Sequence, residues 1–245
     1  MVITSNTNSQ ITLLRKLQTD KKYRLKEGKY CIEGERLVKE AVRFGKKIVA
    51  IYLAESVAEK YKFDCDCPVV VVADKVFETV AQTVSTQGVI ALLQMPQTDN
   101  GSAPIGKCLV LENLQDPGNL GTLLRTAVAT GFLDVYLCNS TDVYAPKVLR
   151  SAMSAHFALN FHFNSVEDAF NTLLKTHDVV CADMGGVSVF KFSTTKPVAL
   201  VLGNEGNGLS NFAKQNATSC VSLPMQNNLE SLNVAVAGSV LMYLL

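Results

Sequence analysis

The sequence predicts an α/β protein: a parallel sheet covered by helices on both faces, preceded by a smaller α/β domain. Three observations carry this expectation. From residue 107 onward, short near-continuous Val/Leu runs alternate with helical stretches, as in parallel strands buried on both sides. Residues 10–95 have another texture, with lysine-rich helical stretches between separate apolar runs. Between the two, "MPQTDNGSAPIGK" (95–107) is rich in Pro, Gly, Asn and Ser and reads as a linker. The expected boundaries are a domain at 1–95, a linker at 96–106 and a second domain at 107–245.

Taken in order, "EGERLVKEAVRFGKK" carries apolar residues at 37, 38, 41, 42 and 44, with Gly45 as a stop. That spacing predicts an amphipathic helix with a basic outer face. "KIVAIYLAE" (47–55), "CPVVVVAD" (67–74) and "STQGVIALLQ" (85–94) read as strands. In the second region "KCLVLENL" leads into a helix at about 120–130, and "DVYLCN" (134–139) follows it. "DVVCADM" (178–184), "PVALVLG" (197–203) and "CVSLPM" (220–225) are further strands, and 145–153, 166–175, 209–216 and 231–245 are helices. The last helix is apolar all round, which predicts burial.

With 245 residues, 48% hydrophobic and 18% charged, the chain has apolar surface for a substantial core. No run of 18 apolar residues predicts a membrane span, and the polar start "MVITSNTNSQ" shows no secretory signal, so a cytoplasmic location is expected. Of seven cysteines, Cys108, Cys138, Cys181 and Cys220 sit in or beside apolar runs as small hydrophobes. Cys65 and Cys67 form a lone C-x-C, expected to be reduced and without metal. The net charge of +1 conceals an asymmetry: residues 1–47 hold 12 Lys/Arg against 5 Asp/Glu, and residues 98–245 hold 8 against 11. A basic amino-terminal segment on a mildly acidic body points to a polyanion contact, or else to a solvated basic helix.

Ligands of open α/β sheets bind beyond the carboxyl ends of the strands, and three loops there stand out. In "LQDPGNLG", Asn119 is a candidate helix cap and Gly131 a stop. Arg125, in the second turn, opposes the helix dipole. It is either a surface arginine paired with Asp116 or Glu112, or a guanidinium set to meet an anionic substrate. In "VLGNEGNGLS" (201–210), glycines at 203, 206 and 208 allow positive φ and close backbone approach, and Glu205 would repel phosphate. The G-x-G-x-x-G dinucleotide fingerprint is absent. In "LPMQNNLESLNVAVAGSVLMYLL", Ser231 or Asn233 is a cap, and Glu230 crowds the same helix terminus.

Together "LENLQDPGNLGTLLRTA", "LVLGNEGNGLS" and "LPMQNNLESLNVAVA" resemble the three signature motifs of the SpoU (TrmH-like) RNA 2′-O-ribose methyltransferases. "DVYAPKVLRSAMSAHF" (142–157) is similar to the family's sequence between the first two motifs, though with Ser154 where glycine is usual. "YCIEGERLVKEA" and "STQGVIAL" resemble its small RNA-binding domain, so the likeness spans nearly the whole chain. The resemblance implies a carboxy-terminal trefoil knot that binds S-adenosylmethionine without a metal, and a homodimer with the active site completed at its interface. It places the donor on Gly203, Leu223 and Leu232, with Asn204 and Met225 beside them. Asn119, Arg125, Glu205, Ser231 and Asn233 would surround the reacting ribose. Large-subunit ribosomal RNA is the expected substrate, with transfer RNA or a catalytically silent RNA-binding relative as alternatives.

Methyl transfer to a ribose requires the 2′-hydroxyl to lose a proton, and none of the three histidines lies in the motifs. The resemblance offers Arg125 as base. Deprotonating a guanidinium at pH 7 costs roughly 8 kcal/mol, which favours a phosphate grip and alkoxide stabilisation by Arg125. A proton relay through a substrate phosphate stays open. Glu205 is expected to orient Arg125 or Asn119.

Overall fold

A computed structural model of the chain describes residues 2–96, 104–227 and 231–245. Most of the expected linker, and Glu230, lie outside the described residues. The chain forms two compact units, one of Met1–Gln97 with Asp142–Phe157, the other of Thr98–Thr141 with Ala158–Leu245.

The first unit opens with β1 (Val2–Ile3), α1 (Ser9–Thr19) and α2 (Lys21–Glu27). Asn8 caps α1 by accepting the Gln10 N–H at 2.9 Å, and Asp20 caps α2 through Tyr23 N–H at 3.1 Å. Then come β2 (Lys29–Glu33), α3 (Glu35–Arg43), β3 (Ile48–Ala54), β4 (Val69–Val72), α4 (Asp74–Glu78) and β5 (Val89–Gln94). Their order is β1-β4-β3-β5-β2, with β4 parallel to β1 and β3, and β5 antiparallel to β3 and β2. Ile11, Leu14 and Leu17 of α1 pack with Tyr52, Phe77 and Ile90 in its core. Gly45, at φ +61°, ends α3 as expected.

Cys65 and Cys67 form a disulfide, against the expectation of two reduced thiols. The loop before β4 turns tightly enough to leave their Cα atoms 5.4 Å apart, within bridging reach.

The second unit contains β6 (Cys108–Glu112), α5 (Pro117–Thr130) and β7 (Asp134–Cys138). The chain then passes through α6 (Pro146–Ala152), β8 (Asn160–His162), α7 (Val166–Leu173), β9 (Asp178–Ser188), β10 (Val198–Leu202), α8 (Asn211–Asn216), β11 (Ser219–Ser222) and α9 (Val234–Leu244). Six strands run parallel in the order β11-β9-β10-β6-β7-β8. Cys108, Val110, Phe170, Leu173, Val179, Cys181 and Val201 fill the core on one side. Burial pushes the Cys138 and Cys181 thiols up to about 12, so they act as small hydrophobes.

Segment Asp142–Phe157, with α6, belongs to the first unit although the chain around it builds the second. It is fastened there by a buried ion pair: Arg24 Nη2 lies 2.5 Å and Nε 3.0 Å from Asp142 Oδ2, and Nη1 donates to Leu17 O at 2.6 Å. His156 is buried against the rings of Tyr30, Tyr144 and Phe157. The unusual backbone in this segment falls on Met153, at φ +54°, next to Ser154.

The expectation that the last helix is buried all round is corrected. Ala235, Gly238, Leu241 and Met242 face inward, whereas Val236, Val240, Tyr243 and Leu244 are exposed. A helix packed on one side of a sheet has one inner face, and its apolar outer residues stay uncovered among the described residues.

Candidate active site

The site is built at the carboxyl ends of β6, β10 and β11. The first helix begins three residues earlier than the sequence predicted. Asp116, not Asn119, is its cap: Oδ1 accepts the Asn119 N–H at 2.8 Å, and Pro117 takes the first helical position, where no N–H is needed. Capping by Asp116 frees the Asn119 side chain. Arg125 then lies in the third turn, beyond the reach of the dipole, so the argument from helix polarity lapses.

Asn119 is the middle of a three-residue chain of hydrogen bonds. Its Nδ2 donates to Glu205 Oε1 at 3.2 Å, and its Oδ1 accepts from Asn233 Nδ2 at 3.1 Å. Asn233 meanwhile caps α9, its Oδ1 accepting from Ala235 N–H and Val236 N–H. Asn119 of the first motif therefore bonds one residue from each of the other two.

Glu205 also accepts the N–H of Asp116 at 3.0 Å and of Gln115 at 3.3 Å. Partial burial pushes its pKa up, but these hydrogen bonds outweigh it and leave the carboxyl below its ordinary value. Glu205 is thus an anionic anchor between two loops. It orients Asn119, one of the two partners expected for it, and no bond to Arg125 is present among the described residues.

Loop 203–209 closes on itself, Asn204 and Gly208 exchanging backbone hydrogen bonds at 3.0 Å. Asn204 Oδ1 accepts from Gly206 N–H and Asn207 N–H, and its Nδ2 donates to Asn113 O at 2.9 Å. Of the three glycines only Gly208 uses positive φ, +67°. Gly203 is required for another reason: a Cβ there would sit 2.4 Å from the Gly208 carbonyl carbon. The chain's own backbone fills the space of a side chain there, so the missing Cβ serves the closure of the loop.

Beside this cluster opens a cleft of roughly 490 Å³, within the range of small-molecule sites. Gly203, Asn204, Glu205, Leu223, Met225, Ser231 and Leu232 line it, bringing together seven of the ten residues singled out in the sequence. Asn119 and Asn233 reach it through Glu205. Arg125 does not line it; it is exposed on α5 and enters no hydrogen bond or ion pair among the described residues. Both pairings considered for a surface arginine fail, since Asp116 caps α5 and the buried Glu112 accepts the Ser210 N–H at 3.0 Å.

Sequence reasoning missed Asp183, Met184 and Lys214, which also line the cleft. Asp183 sits in "DVVCADM", a strand already recognised, and the strand-end rule applied to it would have found this residue. Asn113 (φ +55°) and Asn139 (φ +52°) were missed as well. They end β6 and β7 and are joined by an Asn139 Nδ2 to Asn113 Oδ1 bond of 2.7 Å. No group of three or more potential metal ligands occurs among the described residues.

Comparison with known proteins places this geometry. Residues 106–243 match the SpoU rRNA Methylase family, and residues 8–91 the MRM3-like substrate binding domain. The 23S rRNA (guanosine(2553)-2'-O)-methyltransferase RlmP of Bacillus subtilis is 31% identical over 98% of this chain and 97% of its own length. An uncharacterized tRNA/rRNA methyltransferase of Synechocystis is 33% identical over 98% of this chain and 92% of its own. The AdoMet-bound rRNA methyltransferase from Sinorhizobium meliloti superposes with a TM-score of 0.87 at 28% identity, covering 100% of this chain and 96% of that one.

Proposed function

The chain belongs to the SpoU rRNA Methylase family, and from that premise we propose that it methylates the 2′-hydroxyl of a ribose in large-subunit ribosomal RNA with S-adenosylmethionine as donor. The observation that carries this reading is the Asn233–Asn119–Glu205 chain at the edge of the 490 Å³ cleft. Three loops from separate parts of the sequence converge on one polar cluster beside a pocket of cofactor size.

The cleft fits the donor. Leu202, Leu223, Met225 and Leu232 offer apolar walls for a flat heterocycle, and exposed backbone of loop 203–209 offers polar groups for its edges. The bound donor supplies an electrophilic methyl group. Asn119 and Asn233, locked by Glu205 and by the cap of α9, hold the ribose hydroxyls in line with it. Arg125, with no hydrogen bond or ion pair among the described residues, grips the neighbouring phosphate and stabilises the alkoxide as it forms, the hydroxyl proton passing to an oxygen of that phosphate. Glu205 remains ionised and sets Asn119.

The protein works as a homodimer in this reading. Val236, Val240, Tyr243 and Leu244 of α9, with Phe190 of the 3-10 turn Val189–Lys191 that packs against it, leave an apolar face uncovered. A second copy of the chain covers it and completes the site. The carboxy-terminal segment forms a trefoil knot in this reading, supported by the family match over residues 106–243. The domain at 1–95 binds RNA and that at 107–245 carries the chemistry, in the cytoplasm. No described helix is long and apolar enough to cross a membrane.

Tritiated methyl transfer to separated ribosomal and transfer RNA, followed by nucleotide mapping, tests the reading. Label should enter large-subunit ribosomal RNA and vanish when the mapped ribose is replaced by 2′-deoxyribose. Label confined to transfer RNA would overturn the substrate, and RNA binding without any label would overturn the activity.

A further inference from the structure

The cleft holds an ion pair to which the reading above gives no task. Asp183, on β9, and Lys214, on α8, both line it, with Lys214 Nζ 2.5 Å from Asp183 Oδ2. Asp183 Oδ1 accepts the Gly185 N–H at 2.9 Å. The lysine's hydrogen bond holds Asp183 below the usual carboxylate range, and Asp183 holds Lys214 above its ordinary value, so both stay charged at neutral pH. The two side chains are 25% and 43% exposed. An ion pair that open contributes little to stability, so holding the fold does not account for it.

Its position is informative. Apart from Glu205, which is tied into the Asn119 cluster, Asp183 and Lys214 are the only charged residues lining the cleft among those described. In the sheet, β10 lies between β9 and β6, so the pair and Asn119 border different strand ends on either side of loop 203–209. The remaining walls are apolar or neutral.

We propose that Asp183 and Lys214 form the recognition site for the zwitterionic amino-acid head of the methyl donor, Asp183 receiving its α-ammonium and Lys214 its α-carboxylate. This rests on the donor reading given under Proposed function. The donor's adenine and ribose carry no formal charge, whereas its amino-acid head carries one charge of each sign, close together. A carboxylate and an ammonium side by side match that head with alternating signs. Asp183 keeps unused lone pairs, and Lys214 keeps two further N–H donors. Charge-assisted hydrogen bonds of this kind are about twice as strong as neutral ones. No covalent bond forms or breaks.

Calorimetry on the full chain, with S-adenosylhomocysteine and 5′-methylthioadenosine as probes, tests the proposal. The second probe lacks the amino-acid head and keeps the adenosine. Wild type should prefer S-adenosylhomocysteine by about tenfold or more, and Asp183→Asn and Lys214→Gln should each reduce that preference to about threefold or less. Both variants should bind 5′-methylthioadenosine like wild type, which also shows the cleft is intact. A preference left at the wild-type ratio would overturn the proposal, and so would an equal loss of both probes, since the pair would then only hold the cleft wall together. Wild type that binds neither probe would instead remove the donor reading itself.

Discussion

Two exposed charged residues of the first two motifs, Arg125 and Glu205, stand in opposite conditions. Glu205 accepts from two backbone N–H groups and the Asn119 amide, while Arg125 enters no bond among the described residues. An arginine without a partner among the described residues is available for an anion from outside. Replacing Arg125 by Lys keeps the charge and loses the planar fork. The single-turnover methylation rate should fall by about 100-fold or more, the scale of a lost transition-state donor, while donor affinity by calorimetry stays within error of wild type. A rate within about threefold of wild type would reduce Arg125 to a surface arginine. Glu205→Gln should also slow methylation, yet leave the shape of the pH–rate profile unchanged between about pH 6 and 9, because the carboxylate is already ionised there. The sign of its pH effect on stability follows from its lowered pKa. The stabilisation is present above the unfolded glutamate value of about 4.3 and is lost as pH falls through the lower folded value. A missing basic or acidic limb in the variant's profile would make Glu205 a proton-transfer group after all.

At the scale of elements, loop 203–209 and segment 142–157 differ in how far the sequence revealed them. The glycine-rich loop was legible as a site, but the reason for Gly203 was not, because the backbone it must clear belongs to Gly208 and only the folded loop brings the two together. Gly203→Ala should therefore break the Asn204–Gly208 bridge itself. We expect donor affinity to drop at least about tenfold, with a stability loss of about 1–3 kcal/mol from the forced overpacking; unchanged melting and affinity would show that the loop adapts. Segment 142–157 was legible as a helix from "APKVLRSA", but its membership of the first unit was not. That depends on the buried Arg24–Asp142 pair between residues 118 positions apart. The same segment carries His156, whose burial, helped by Lys46, lowers its pKa to about 3. The folded state keeps this histidine neutral, whereas the unfolded chain protonates it below about pH 6.5. Stability should thus decline as pH falls from about 6.5 towards 3, by up to about 1.4 kcal/mol per unit from this group. His156→Phe should show a shallower loss of Tm than wild type across that window, and parallel curves would refute the assignment.

For the whole molecule, the parallel sheet, the positions of β6, β7, β9, β10 and β11 and the three converging loops followed from hydrophobic runs and motif residues, because a parallel sheet writes each strand as a local signal. The order of the strands, the three-residue β8 and the assignment of α6 to the first unit did not. What escaped was relational: the exposed outer face of α9, the Cys65–Cys67 bridge and the Asp183–Lys214 pair each depend on what lies alongside. The charge asymmetry belongs to this scale too, and the structure sorts its members. Arg24 is consumed by Asp142, and Lys39 and Arg43 pair with Glu35 and Glu40. Lys16, Lys21, Lys22, Lys26, Arg36 and Lys47 remain exposed without an ion pair among the described residues. Three of these, Lys21, Lys22 and Lys26, belong to the one short helix α2, so an RNA backbone passing that helix would release counterions from several phosphates at once. Reversing Lys21, Lys22 and Lys26 to Glu should weaken RNA binding more at low salt than at high salt. The slope of log affinity against log salt should flatten by about 0.7–0.9 for each phosphate contact removed. Donor affinity should not change, since the cleft lies in the other unit. Filter binding across a salt series distinguishes this from general damage: a variant whose affinity falls equally at every salt concentration has lost something other than phosphate contacts, and one with the wild-type slope shows that α2 never meets the RNA.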